Sequence, residues 1–214
     1  MSATSAMGIY NDAGDSVITV ATGATVIGSI SLGDGSDQLS FVGGDFSGVT
    51  TFDGGDDADV ADTFIDTLTF DGSSGLLSAA DVINWEMILI EADSNIAFDG
   101  VENLVTANLS STGEINLQDG STDDNLTQIG DFNGGGTLSL DVVADDGSGG
   151  ADTFTIQGDL ISGTTVLNIA NVGGAGGETT GDGILLVTVA GNSPPGASAS
   201  LDSTLLIPHS LAVT

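Results

Sequence analysis

The chain has 214 residues, 31 of them Asp or Glu, and no Lys or Arg. A protein of ordinary composition has about a quarter of its residues charged, both signs included, so this balance excludes nucleic-acid binding through cationic side chains, a basic membrane-surface patch and an arginine clamp on an anionic substrate. Apolar residues make up 40% and the mean hydropathy is +0.28, so the chain can bury a core and is not a disordered acidic tail.

Taken from the N-terminus, Met1 to Gly8 lacks the basic and apolar stretches of a signal peptide, so a targeting segment is expected to have been removed or to lie outside this chain. Short apolar segments follow: Val17–Val20, Thr25–Leu32, Gln38–Val42, Thr67–Phe70, Thr137–Val143, Thr153–Ile156, Val166–Ile169 and Ile184–Val189. They are rich in β-branched residues, they alternate, and Gly, Asp, Asn and Ser bound them, which predicts strands between turns. Ser78–Ile83 is expected to form one helical turn, with Ser78 as N-cap. No segment approaches the roughly 18 apolar residues of a membrane helix. There is no cysteine, hence no disulfide framework and no thiolate metal site.

Turn signals at this density fit an all-β sandwich, a barrel or a β-solenoid. Internal repetition favours the solenoid. Asp37-Gln-Leu-Ser-Phe41, Asp66-Thr-Leu-Thr-Phe70 and Asp152-Thr-Phe-Thr-Ile156 are three versions of one phrase, an Asp leaving a Gly/Asp turn followed by alternating strand residues. The spacing is irregular, as a β-helix with insertions at its corners tolerates. Acidic residues gather at the turns, in 53–59, 119–125 and 145–150.

Those turns raise the question of calcium. Gly33-Asp34-Gly35-Ser36-Asp37-Gln38-Leu39 matches the nonapeptide G-G-x-G-x-D-x-U-x apart from Leu32 at the first glycine, and segments 54–59 and 147–154 match more loosely. Asp34, Asp37, Asp56, Asp57 and Asp59 are therefore the candidate ligands for a weakly held calcium ion, against the simpler reading that Asp and Gly are making turns. The copies are too far apart in sequence to stack as a run of sites, and there is no EF-hand loop.

Catalytic patterns are weak. The single histidine, His209, follows Pro208 near the end of the chain, and no G-x-S-x-G turn is present. With 31 acids, some carboxylate pairs arise by chance, so they do not signal a glycosidase. Trp85, in the apolar run 84–90, reads as core packing at a rung, and Tyr10 is the other large amphipathic aromatic. Gly173–Gly177 is glycine-rich, but no Lys is available for a phosphate loop. The Thr-x-Thr pairs Thr67/Thr69 and Thr153/Thr155 are not in the regular register of an ice-binding ladder.

The last third carries a family resemblance. Ile129-Gly-Asp-Phe-Asn-Gly-Gly-Gly-Thr-Leu-Ser-Leu-Asp141, then Gly158-Asp-Leu-Ile-Ser-Gly-Thr-Thr165, then Ile169 to Val187 with Gly173–Gly177 and Gly183-Ile-Leu-Leu-Val187, follow one another. This closely resembles the end of the passenger domain of pertactin-like autotransporters of Gram-negative bacteria. There N-Y-x-G-x-G-G-T-L precedes G-x-x-S-G-T-T, then N-x-G-G-x-G-x-x-T-x-x-G-I-x-V-V and a final S-x-x-x-x-F-x-L. Order and spacing match over about 129–201, and residues 15–128 look like upstream passenger rungs. The resemblance implies a right-handed parallel β-helix, export, and outward passage through a C-terminal barrel. It implies that the matching segment is the stable end of the passenger that templates folding. The family's translocation helix and barrel do not appear in residues 202–214, so the chain is expected to be cut or processed, or the module to be reused without its barrel.

The expected organisation is therefore β-helix rungs over 1–128, an autochaperone-like segment over 129–201 and a tail over 202–214. The expected function is a non-enzymatic, surface-exposed passenger stalk serving adhesion or self-association. Its partners would be other copies, through solenoid ends or faces, or a host or neighbouring cell, with no nucleic acid and no membrane insertion of this segment. One alternative is a self-assembling subunit of an extracellular filament or sheath. Another is the scaffold end of an enzyme or toxin passenger.

Overall fold

The computed structural model describes residues 7–61, 63–146, 149–177, 183–195, 198–201 and 211–213. Every pair of named strands is parallel. One sheet has seven strands, β2 (Val17–Ala21), β4 (Gln38–Val42), β6 (Thr67–Asp71), β9 (Trp85–Ile90), β12 (Thr106–Ser111), β15 (Asp131–Asn133) and β18 (Leu160–Ser162). A second has six, β7 (Ser74–Leu76), β10 (Asn95–Ala97), β13 (Glu114–Asn116), β16 (Thr137–Val142), β19 (Thr164–Asn171) and β21 (Ser198–Leu201). A third has five, β11 (Val101–Leu104), β14 (Asn125–Gln128), β17 (Thr153–Ile156), β20 (Ile184–Val189) and β22 (Leu211–Val213). A fourth joins β1 (Met7–Tyr10), β3 (Thr25–Ser31), β5 (Asp45–Asp53) and β8 (Val82–Ile83).

From β9 to β20 the chain visits the first three sheets in strict rotation, one strand each per rung. That is a parallel β-helix, in the right-handed sense that parallel crossovers take in about 98% of cases. In the first rungs the chain alternates between the seven-stranded sheet and the fourth. There the long β5 supports both β7 and β8: the Phe46 ring lies under Gly75, and Phe52 pairs with Val82.

All eight predicted strands are present, three with the expected limits and four within one residue of them, while the one expected at 166–169 runs over Thr164–Asn171. Three-residue strands such as β10, β13, β15 and β18 were not foreseen, because three residues carry no measurable alternation. The expected helical turn is shorter. A 3-10 turn covers Ala79–Asp81, and Val82–Ile83 is already strand. Ser78 makes no side-chain cap. The Glu102 carboxylate from the next rung accepts the Ala79 N–H instead, at 3.1 Å.

The core is a set of columns running through the rungs. On the seven-stranded sheet Ile18, Leu39, Leu68, Ile88, Leu109, Phe132 and Leu160 are successive register partners. The steps between them are therefore 21, 29, 20, 21, 23 and 28 residues. Beside it Val20, Phe41, Phe70 and Ile90 form a second column, which ends on Ser111. Each such aliphatic side chain contributes about 1.5–3 kcal/mol by leaving water. The upstream core is aromatic: Phe41 and Phe70 stack with centroids 5.8 Å apart, and Phe46 and Phe52 meet them edge-on. Trp85 is fully buried and donates from Nε1 to the Phe52 carbonyl at 2.9 Å, a core residue as its apolar run implied.

The Gly/Asp turns also stack. A Cβ at Gly55 (φ +148°) would lie 1.9 Å from the Gly33 carbonyl oxygen, so only glycine lets one turn sit directly on the next. Thr155 pairs in register with Thr127 and Thr188, a local ladder of three that the Thr-x-Thr spacing did not reveal. No helix among the described residues is long and apolar enough to cross a membrane.

Candidate functional site

The aspartates of the repeated phrase prove to be structural pins. Asp37, Asp66 and Asp152 are each fully buried at the corner before a strand. Asp37 Oδ1 accepts the N–H of Ser16 at 2.6 Å, Asp66 Oδ1 that of Asp37 at 2.6 Å, and Glu86 Oε2 that of Asp66 at 2.5 Å. A carboxylate of each rung thus ties down the backbone of the rung before it. Downstream, Asp124 Oδ1 accepts the Gly100 N–H, Asp152 Oδ1 the Asp124 N–H at 3.2 Å, and Asp152 Oδ2 the Asp141 N–H at 2.6 Å. A further ladder runs the other way: Asp131 Oδ1 accepts from Asp159 N–H at 2.8 Å and Asp159 Oδ1 from Asn192 N–H at 2.7 Å.

Neutral side chains continue the pattern. Asn95 donates to Glu114 Oε2 at 2.6 Å, Ser139 donates to Glu114 Oε1, and Asn168 donates to Ser139 at 3.0 Å. Ser73 and Ser94 donate from the interior to the carbonyls of Phe41 and Phe70, each at 3.0 Å.

The electrostatic cost of this arrangement falls on the buried members. Burial pushes Asp66 up to about 7, with the Asp37 N–H opposing and the charges of Glu86, Asp37 and Asp56 adding to the rise. Burial raises Asp152 to about 6 against the N–H donors of Asp141 and Asp124. Asp37 and Asp124 are also raised, in both cases mainly by burial. The exposed Asp45, Asp119 and Asp159 are held low by donors, respectively Ser47, Ser121 and Asn192.

The five proposed calcium ligands have different surroundings. Asp37 is buried in the ladder. Asp34 is exposed, and its carbonyl accepts the Gly14 N–H. Asp57 and Asp59 are exposed and accept turn N–H groups, from Asp59 at 2.7 Å and from Ala61 at 2.9 Å. Asp56 is exposed and near enough to Asp37 and Asp66 to oppose their ionisation. Among the described residues, three mutually close carboxylates occur elsewhere, at Asp99, Asp119 and Asp124.

Glu86 and Asp124 were missed as pins. Glu86 had a signal, an acid inside the apolar run Trp85–Ile90. Asp124 had none, because it is one of three acids in a turn and only the rung register singles it out. Tyr10 is exposed and donates to Asp12 at 3.1 Å. His209, Gly147 and Ser148 lie outside the described residues, as does much of the predicted tail.

Fold and ladders together define a parallel β-solenoid whose rungs are fastened by buried polar side chains, the class to which autotransporter passengers belong. The model of the autochaperone domain type 1 family matches residues 89–202, more than half of the chain, and the chain belongs to that family. The probable autotransporter YfaL of Escherichia coli K12 is 33% identical over 141 residues, 64% of this chain and 11% of that protein. The uncharacterized protein YuaQ of the same organism is 36% identical over 90 residues, 42% of this chain and 6% of that protein. The chain thus spans about a tenth or less of the length of these relatives. No solved structure matches. The matched segment runs from within β9 to just past β21 and contains the ladders of Asp124–Asp152, Asp131–Asp159 and Asn95–Glu114–Ser139–Asn168. This is a passenger-type module, and the family relationship implies the outer surface of a Gram-negative bacterium.

Proposed function

We propose that the chain is a non-enzymatic passenger stalk in which the family segment, residues 89–202, is the stable end that templates the upstream rungs. The observation that carries this reading is the continuous column of register partners from Ile18 to Leu160, which persists through a register shift beside Phe132. The upstream rungs have no separate core: Thr67–Phe70 stack directly on Met87–Ile90, where the family segment begins. In a solenoid each rung stabilises its neighbour, so a stable end lowers the cost of adding the next rung. The stalk lies outside the cell and serves adhesion to a host or neighbouring cell, or self-association.

Folding kinetics test the templating role. Leu138→Ala in the family segment and Phe41→Ala upstream remove comparably buried side chains. The expected result is that Leu138→Ala mainly slows refolding while Phe41→Ala mainly speeds unfolding. The reverse assignment would overturn it.

Self-association is the second reading. Strand β2 is the outermost described strand of the seven-stranded sheet and presents Val17, which is 76% exposed, so a second copy could extend the sheet there. Electron microscopy across a concentration series separates the cases: ordered filaments support a polymerising subunit, and dispersed rods of one length exclude it.

A further inference from the structure

A carboxylate withdrawn from water in this chain has no Lys or Arg to meet. At one place three carboxylates converge: one oxygen each of Asp99, Asp119 and Asp124 lie within 4.8 Å of one another. Asp99 and Asp119 are exposed, whereas Asp124 is only 2% exposed. Oδ1 of Asp124 accepts the Gly100 N–H, and its Oδ2 is buried with no hydrogen-bond partner. A buried carboxylate with one unpartnered oxygen, grouped with two exposed carboxylates, is an arrangement that a bound cation would satisfy.

We propose that Asp99, Asp119 and Asp124 hold a hard divalent cation of the calcium type. Calcium takes oxygen ligands at 2.3–2.6 Å, so two ligands on opposite sides of the ion lie about 4.6–5.2 Å apart, and three oxygens within 4.8 Å of one another can share one such ion. Water completes the coordination on the exposed side.

The ligands are also positioned from behind. Asp141 Oδ2 accepts the N–H groups of Asp119 and Gly120 at 3.0 and 2.7 Å, and the Ser121 N–H and hydroxyl both reach Asp119 Oδ1 at 2.7 Å. Asp152 in turn fastens the backbones of Asp141 and Asp124. The backbones of Asp119 and Asp124, two of the three ligands, therefore hang from the same pair of buried carboxylates. Around Asp37 and Asp66 each Oδ2 is likewise without a partner, but among the described residues no third carboxylate oxygen completes a group there.

The ion would join two rungs. Asp99 follows β10, and Asp119 and Asp124 lie between β13 and β14. It would act as a staple in a chain that has no cysteine. This inference does not depend on the passenger reading.

Thermal unfolding of the full chain, stripped with chelator and titrated with calcium chloride at fixed ionic strength, provides the test. A ligand that binds only the folded state raises Tm along a saturating curve. The expected midpoint is about 10⁻⁴–10⁻³ M, the range of extracellular calcium modules. The double variant Asp99→Asn/Asp119→Asn changes exposed residues only and should fold, and its midpoint should rise at least about tenfold, as loss of ligand charge weakens such sites. The control Asp56→Asn/Asp57→Asn removes the same charge from another exposed turn and should titrate like the parent. Equal curves for the two double variants would overturn the proposal, as would a rise no larger than matched sodium chloride produces, since either means general screening of an acidic surface.

Discussion

The backbone N–H of Asp37 points at the carboxylate of Asp66, 2.6 Å away and one rung later in the chain, and neither residue is exposed to solvent. The Asp66 N–H does the same to Glu86. The consequence is three acids stacked in the interior, each accepting a backbone N–H, with the middle one, Asp66, opposed by the charges of the other two.

That opposition has a direction in pH. Asp66 is raised to about 7 in the folded chain from 3.8, its ordinary value, by burial and by Glu86, Asp37 and Asp56. Between those values the folded state holds the proton more tightly than the unfolded one, so the contribution to stability is full below about pH 4 and is lost as pH rises through 7. Asp152, raised to about 6, acts in the same sense. The donors that lower Asp45, Asp119 and Asp159 act oppositely, and only as the pH falls below the ordinary carboxylate range. Tm is expected to be higher at pH 5 than at pH 8. Asp66→Asn should reduce that difference, whatever it does to Tm itself. An unchanged slope in scanning calorimetry would mean that general charge repulsion sets the pH dependence.

Asp152 should be less replaceable than its charge suggests. Both its oxygens accept backbone N–H groups, from Asp124 and Asp141. Asp152→Ala leaves two buried donors without a partner, at about 1–3 kcal/mol each. Asp152→Asn keeps one acceptor and should lie between alanine and the parent in urea denaturation.

The columns set the cost of core truncation. Leu109 is fully buried between Ile88 and Phe132, so Leu109→Ala should destabilise by about 2–5 kcal/mol. The same change at Leu185, which is 47% exposed, should cost far less. Equilibrium unfolding of the two variants decides the point.

Glycines of the family segment divide in the same way. Gly163 has φ +91°, and a Cβ there would lie 1.6 Å from the Gly134 carbonyl oxygen. Gly173 has open space around it and an ordinary φ. Gly163→Ala should prevent the rung from closing, whereas Gly173→Ala should fall within about 0.5 kcal/mol of the parent. Circular dichroism and melting curves distinguish these outcomes.

Much of this was legible before any coordinates. The phrase shared by Asp37, Asp66 and Asp152 marked the rung start, but read its aspartates as turn residues; that they pin neighbouring backbone follows only from the hydrogen bonds across rungs. The resemblance over 129–201 led to the correct family, whose matched segment begins earlier, at residue 89. What escaped was set by register. With rung steps between 20 and 29 residues, no fixed period aligns Asp124 with Asp99 and Asp152, or Ser139 with Glu114. Strands of three residues hide in turns for the same reason: their partners, not their composition, make them strands.

The unequal rung lengths also have a mechanical meaning. From Ile18 to Leu160 the chain climbs six rung spacings, roughly 29 Å at about 4.8 Å each. Fully extended, the same 142 residues (160 minus 18) would reach about 470 Å at 3.3 Å per residue. Each rung that closes therefore takes up roughly 65–95 Å of slack chain while lengthening the rod by about 5 Å. A strand emerging through a narrow opening and closing rungs on the far side would be drawn forward in strokes of that size, longest where the turns bulge after Leu39 and Phe132.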